Sequence, residues 1–202
     1  MELTQEQIQC VENFLSYKKL DYIDVRFEVL DHIISDIEVL LAQGISFEDA
    51  FKQSTGKWHN DLKFTSSFLI GILYNRPKIV INKAVNLGKY WLIFSFIAVF
   101  LQAFLIGEKS TIFSFLSDNS FFFLTIGVGL AIINGYFYFK MRKLKTTFLF
   151  LFEKFIIPSL LLLFIAFLLP EISSFYVFLI FCNSFLGYKL YKEHQKIMIK
   201  CN

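Results

Sequence analysis

Glu28, His32 and Asp36 stand four residues apart, with Asp31 beside the histidine. On a helix this spacing lines up two carboxylates and an imidazole along one face, the residue types of a metal site or a proton sensor. A single helix supplies too few ligands to close a metal site, and His59 is the only other histidine in the N-terminal third. A structural histidine at a helix contact, or a solvated ion-pair face, therefore competes with both chemistries. A second set of residues is marked by apolar surroundings. Gln102, Asn134 and Asn183 interrupt long hydrophobic stretches, and Glu153-Lys154 opens another. Charges at such places are functional candidates by default, although an adjacent opposite pair can neutralise itself or reach the membrane surface. Gly127, Ala131 and Gly135, spaced by four, put small side chains on one face where a second helix can approach. That face suits dimerisation, a pore lining or ordinary packing. Pro158 removes one backbone donor and is expected to kink its helix.

Other chemistries lack their residues. The sequence contains no glycine-rich phosphate loop, HExxH, GxSxG or paired cysteine ligands. Cys10, Cys182 and Cys201 are too few and too scattered for a disulfide framework and are expected to be free thiols. A non-enzymatic protein without cofactor or metal is expected. Nucleic acid is an unsuitable partner for the N-terminal region, because a phosphate backbone demands a basic surface. Residues 1 to 65 carry 6 Lys/Arg against 12 Asp/Glu, whereas residues 66 to 202 carry 14 against 5.

The elements that hold these residues follow from composition. Hydrophobic residues make up 55% of 202, 27 of them Phe, and mean hydropathy is +0.54. This excludes disorder and argues against a soluble globule. Tyr90 to Gly107, Asn119 to Phe139, Phe155 to Pro170 and Ile172 to Tyr188 are free of Asp, Glu, Lys and Arg. A spanning helix needs about 20 residues, so the third stretch must borrow from Thr146 to Lys154. Four transmembrane helices are expected, at about 90–107, 119–139, 147–169 and 172–188. Arg76, Lys78, Lys83 and Lys89, then Lys140, Arg142, Lys143 and Lys145, then Lys189, Lys192, Lys196 and Lys200 flank them on one side, with only Lys109 on the other. The positive-inside bias predicts a multi-pass protein with both termini cytoplasmic. The start, Met1-Glu2-Leu3-Thr4, is unlike a cleavable signal peptide.

Ahead of these lie three amphipathic helices. Thr4-x-x-Gln7 reads as a capping box before Ile8, Val11, Phe14 and Leu15. Asp21 or Asp24 is expected to cap a longer helix with the stripe Val25, Val29, Leu30, Ile33, Ile37, Leu40 and Leu41, closed by Gly44. Ser46-x-x-Asp49 opens the third, with Phe47, Ala50 and Phe51 inward and Trp58 near its end. Val29-Leu30-Asp31-His32-Ile33 and Leu41-Ala42-Gln43-Gly44-Ile45-Ser46-Phe47-Glu48-Asp49-Ala50-Phe51 together resemble the HAAS, or permease prefix, domain over about residues 5–63. That family has an acidic residue before His in its second helix, then Gly-x-Ser-x-Glu-(Glu/Asp)-Ala. It often closes the third helix with Gly-Asp-Pro, where this chain has Thr55-Gly56-Lys57-Trp58. The resemblance implies a cytoplasmic regulatory module on bacterial membrane segments, with no catalysis.

The expected fold class is all-α. A three-helix cytoplasmic domain (1–63) precedes a basic connector (64–89), in which Phe64 to Tyr74 is read as an interfacial helix. A four-helix transmembrane bundle (90–188) and a basic tail (189–202) complete it. Expected partners are membrane lipids, including anionic headgroups, and a protein partner or a second copy. The basic collar and acidic head invite mutual docking. The expected role is a regulatory or scaffold protein of the inner membrane, active in signalling. The alternatives are a small transporter or permease subunit and a structural subunit of an envelope complex.

Overall fold

The computed structural model describes residues 2–68, 70–105, 118–168 and 173–201. The protein is mostly helical and divides into two compact units, Met1–Val85 with Lys145–Thr147, and Asn86–Leu144 with Phe148–Asn202.

In the first unit, α1 (Gln5–Tyr17) starts from the expected capping box: the Thr4 hydroxyl accepts the Gln7 N–H and the Gln7 side chain accepts the Thr4 N–H. α2 (Ile23–Ala42) ends as its sequence requires. Gly44 adopts φ +82°, and the Ile45 and Gly44 N–H groups donate to the Leu40 and Leu41 carbonyls, so the last turn is closed by a left-handed glycine. α3 (Phe47–Lys57) opens on Ser46, whose hydroxyl accepts the Asp49 N–H. Val25, Val29, Ile33 and Ile37 form the buried seam of α2 and meet Val11, Leu15 and Ala50 in the core, because side chains four apart stack on one helical face. Leu30, Leu40 and Leu41 are only half-buried.

Two expectations fail here. The N-cap position of α2 is Tyr22, with no side-chain cap, and Asp24 lies inside the first turn with its carboxylate directed elsewhere. Phe64 to Tyr74 is not a helix. It forms an antiparallel hairpin of β1 (Phe64–Ser67) and β2 (Gly71–Pro77), with Phe64 opposite Pro77, Thr65 opposite Arg76 and Ser67 opposite Gly71. Aromatic and β-branched residues favour strands, and Gly71 at φ +111° supplies a backbone that a helix interior would not use. Apolar length alone did not distinguish these alternatives. Pro77 ends the ladder, where its missing N–H costs least, and the chain continues from Lys78 as α4 (Lys78–Leu105), so the rest of the connector is helical.

The second unit holds the remainder of α4, α5 (Ser120–Met141), α6 (Thr147–Leu168, from Phe148 on) and α7 (Ser173–Cys201). α7 runs without a break through the segment read as a separate tail. α5 and α6 pack against α7 and against each other. The buried positions of α5, Gly127, Asn134 and Met141, recur every seven residues, the period of a coiled-coil seam. In α6, Phe152–Ile156 forms a π turn in which the Ile157 N–H donates to the Phe152 carbonyl. The physical reason is Pro158, two residues later. It has no N–H for the regular ladder, and one extra residue in the turn absorbs the break. α5 and α6 are long and apolar enough to cross a membrane, and only 11% and 33% of their apolar windows are buried within the protein. A soluble core helix would hide that face. Phe121, Ile132, Leu161 and Phe167 are instead more than two-thirds exposed.

Candidate functional site

The densest polar arrangement forms where the start of α2 meets Lys145–Thr147, the segment joining α5 to α6. Asp24 is a buried residue whose carboxylate is 1% exposed. It accepts the Thr147 N–H at 2.9 Å through one oxygen and the Thr147 hydroxyl through the other. Lys83 of α4 places its ammonium 3.3 Å from Asp24 and 3.1 Å from Glu28. Lys145 pairs with Asp21 at 2.8 Å, and its carbonyl accepts the Ile23 N–H at 3.0 Å. The Lys145 ammonium also lies 5.1 Å from the ring of Tyr22, whose hydroxyl accepts a bond from Arg76.

The chemistry of this cluster is electrostatic and structural. Thr147 is the first residue of α6, where backbone N–H groups lack helical partners and the helix dipole is positive. A carboxylate there acts as an N-cap supplied from 123 residues away. Thr146 and Thr147 are both fully buried, so with Asp24 in place the Thr147 donors are satisfied by the carboxylate and not by solvent. The bond to Asp24 is thus a latch between α2 and the chain that begins α6.

The residues singled out in the sequence are separated by this geometry. Glu28 joins the latch through Lys83, and Asp36 pairs with Lys57 at 2.8 Å. His32 lies between them, exposed, with its ring 6.1 Å from that of Trp58. Asp31 is exposed. Among the described residues no three His, Cys, Asp or Glu side chains group to hold a metal.

In the second unit, Asn134 is buried. Its amide donates to the Leu130 carbonyl and to the Ser184 hydroxyl, the latter at 2.6 Å. Asn183 accepts from the Trp91 indole at 3.0 Å, tying α7 to α4. Gly127 lies so close to α6 and α7 that an added Cβ would stand 2.7 Å from Leu163 and 3.1 Å from Val177. Ala131 is half-buried, whereas Gly135 is exposed with open space around it. Glu153 and Lys154 occupy the π turn and are both half-buried, with the Lys154 ammonium 5.7 Å from the Phe150 ring. The side chain of Gln102 lies outside the described residues.

Sequence reasoning missed Thr147, Ser184 and the fully buried His194 of α7. Asp24 stands where a cap of its own helix is expected, and nothing local signals a partner 123 positions away. Ser184, one residue beyond Asn183, was hidden by its small size.

The class these features define is a mostly helical protein with two helices of membrane-spanning length and a latched polar junction in its N-terminal unit. Comparisons of the chain with protein-family models, curated proteins and solved structures returned no match.

Proposed function

We propose that this is a non-enzymatic inner-membrane protein whose cytoplasmic helical head regulates or scaffolds a partner protein. The resemblance of residues 5–63 to the HAAS domain supports the regulatory reading. Four charge-poor stretches with twelve flanking cations on one side and one on the other support four spans with cytoplasmic termini.

The latch is the observation that carries the proposal. Asp21, Asp24 and Glu28 are engaged by Lys83 and Lys145, which the sequence assigns to the basic collar, and Asp24 also by Thr147. Also on α2, Phe27, Asp31, Ser35 and Val39 are exposed at spacings of four, forming a mixed apolar and acidic stripe suited to a partner helix. The helix held at its first turns by the latch is then the one that presents the partner stripe.

Orientation is tested on Cys10 and Cys201, both exposed. A membrane-impermeant maleimide should label both in inside-out vesicles and neither in right-side-out ones, and the opposite pattern sinks the topology. Partner binding is tested by affinity purification from native membranes with mass spectrometry. A protein recovered with the wild type and lost with Asp31→Lys/Val39→Asp supports the proposal, and recovery unaffected by those changes refutes it.

A second reading, a transporter or permease subunit, draws on the π turn that carries Glu153 and Lys154, since such turns accompany functional sites. Solute flux by reconstituted protein that Glu153→Gln abolishes would establish it.

A further inference from the structure

The N-terminal unit holds a second, oppositely charged feature that the latch does not use. Where the end of α1 meets the turn after α3, an open cleft of about 570 Å³ is lined by Tyr17, Lys18, Lys19, His59, Asn60 and Lys63. No carboxylate lines it. Several other cations of this unit are committed: Lys57 to Asp36, Lys83 to Asp24 and Glu28, Lys145 to Asp21, and Arg26 to the Glu12 carbonyl and Ser16. Among the described residues, Lys18, Lys19 and Lys63 have no carboxylate within ion-pair distance. Lys18 lies against the Phe14 and Tyr17 rings, each 5.7 Å away, which orders its stem without neutralising its charge. Three ammonium groups around one hollow that no carboxylate lines present donors to an anion.

The surroundings of the cleft indicate the source of that anion. Phe64, which also lines the cleft, is the first residue of β1, so the hairpin rises from its edge. Near the hairpin tip Phe68 is 86% exposed, and Ile72 is 67% exposed. A Phe so exposed on a two-stranded ribbon contributes nothing to the core, whereas an apolar tip beside cations is the pattern of a segment that enters a bilayer surface. From Leu62 to Gly107 the chain contains no Asp or Glu, so nothing along this stretch repels an anionic surface. At about 3.3 Å per residue, four residues of β1 separate Phe68 from Phe64 by about 13 Å, while the headgroup layer is roughly 5–8 Å thick. A hairpin inclined steeply to the surface therefore reaches hydrocarbon when its base is at the phosphates.

From this geometry we infer that the Lys18/Lys19/Lys63 cleft binds the phosphate headgroup of an anionic membrane lipid while Phe68 and Ile72 of the hairpin enter the acyl layer. The inference rests on the membrane reading above and gives lipid a specific site in the head.

The test uses the full chain with Cys10→Ser and Cys201→Ser, spin-labelled at Phe68→Cys and reconstituted in vesicles of phosphatidylcholine with or without phosphatidylglycerol. In the anionic vesicles the label should show a severalfold higher ratio of oxygen to nickel-chelate collisions than a label at Val39→Cys, which should remain aqueous. Lys18→Gln/Lys19→Gln/Lys63→Gln should return the Phe68→Cys label to water, and Lys63→Gln alone should weaken the anionic preference roughly fivefold. All three side chains lie at the surface, so these variants should fold, and unchanged circular dichroism checks this. A label that stays aqueous in every vesicle overturns the inference. So does insertion indifferent to the lysines. Binding of inorganic phosphate that the triple substitution abolishes, without insertion of the label, would assign the cleft to a soluble anion and equally refute the lipid. Maleimide labelling of Cys10 and Cys201 in the unaltered chain fails only if the membrane reading fails, so the two failures are distinguishable.

Discussion

Replacing Asp24 with alanine removes the acceptor for two donors of one buried residue, the Thr147 N–H and hydroxyl. Hydrogen bonds to a charged group contribute about 1.5–3 kcal/mol each, and loss of an N-cap costs about 1 kcal/mol. The contributions overlap, because both bonds end on Thr147. Lys83 is not stranded, since its side chain is 29% exposed and keeps Glu28. The net cost is therefore about 3–4 kcal/mol, near the lower end of that for breaking a buried ion pair. Every 1.4 kcal/mol is a factor of ten. Local opening at the start of α6 should thus become at least about a hundredfold more frequent. Asp24→Asn keeps one oxygen for the Thr147 N–H but loses the charge, and should cost about 1–2 kcal/mol, or roughly tenfold. Glu28→Gln breaks only a half-exposed pair and should change opening less than fivefold. Hydrogen exchange of the full chain in lipid nanodiscs, followed in peptides covering 145–151 and 22–27, reads these differences. Exchange in Asp24→Ala within threefold of wild type would refute the latch, and equal damage from Asn and Ala would refute its hydrogen-bonding basis.

Four further outcomes follow from packing and backbone geometry. Gly187→Ala places a Cβ 2.7 Å from the Asn134 Oδ1 and 3.2 Å from the Phe152 ring, and should lower stability by about 1–3 kcal/mol in a thermal-unfolding assay. Gly135→Ala, with nothing within 4 Å, should be neutral or gain up to about 1 kcal/mol from helix propensity. Ser184→Ala removes a partner of the buried Asn134 amide and should cost about 0.6–2 kcal/mol in the same assay. Gly44→Ala forces a side chain into φ +82° and should destabilise the N-terminal unit by about 1 kcal/mol, seen as faster exchange at the end of α2.

Features written within a few residues were legible in the sequence. Thr4 with Gln7, Ser46 with Asp49, and Gly44 each act on the helix end beside them, so their geometry follows from local spacing. The core seam of α2 was legible for the same reason, as burial follows the helical period. The hairpin was misread because Phe64 to Tyr74 carries no strict alternation. Its pairing is completed by bonds beyond the strands, Lys78 N–H to the Lys63 carbonyl and Ile79 N–H to the Asp61 carbonyl. Pro158 announced a disturbed helix, but whether the ladder bent or slipped into a π turn depended on what packed around Phe152 and Ile156, both fully buried.

The sequence by itself determined which segments are apolar, where the strongly periodic helices of the N-terminal unit run and where the opposite charges lie, because composition and period are properties of the chain alone. Only the tertiary structure decided which charges meet. It turned Asp24 from a cap of its own helix into a cap of another, left Lys18, Lys19 and Lys63 without carboxylates, and set Asn134 against Ser184. The physical reason is that an ion pair or hydrogen bond acts over a few ångströms, and folding brings together residues that spacing along the chain does not relate.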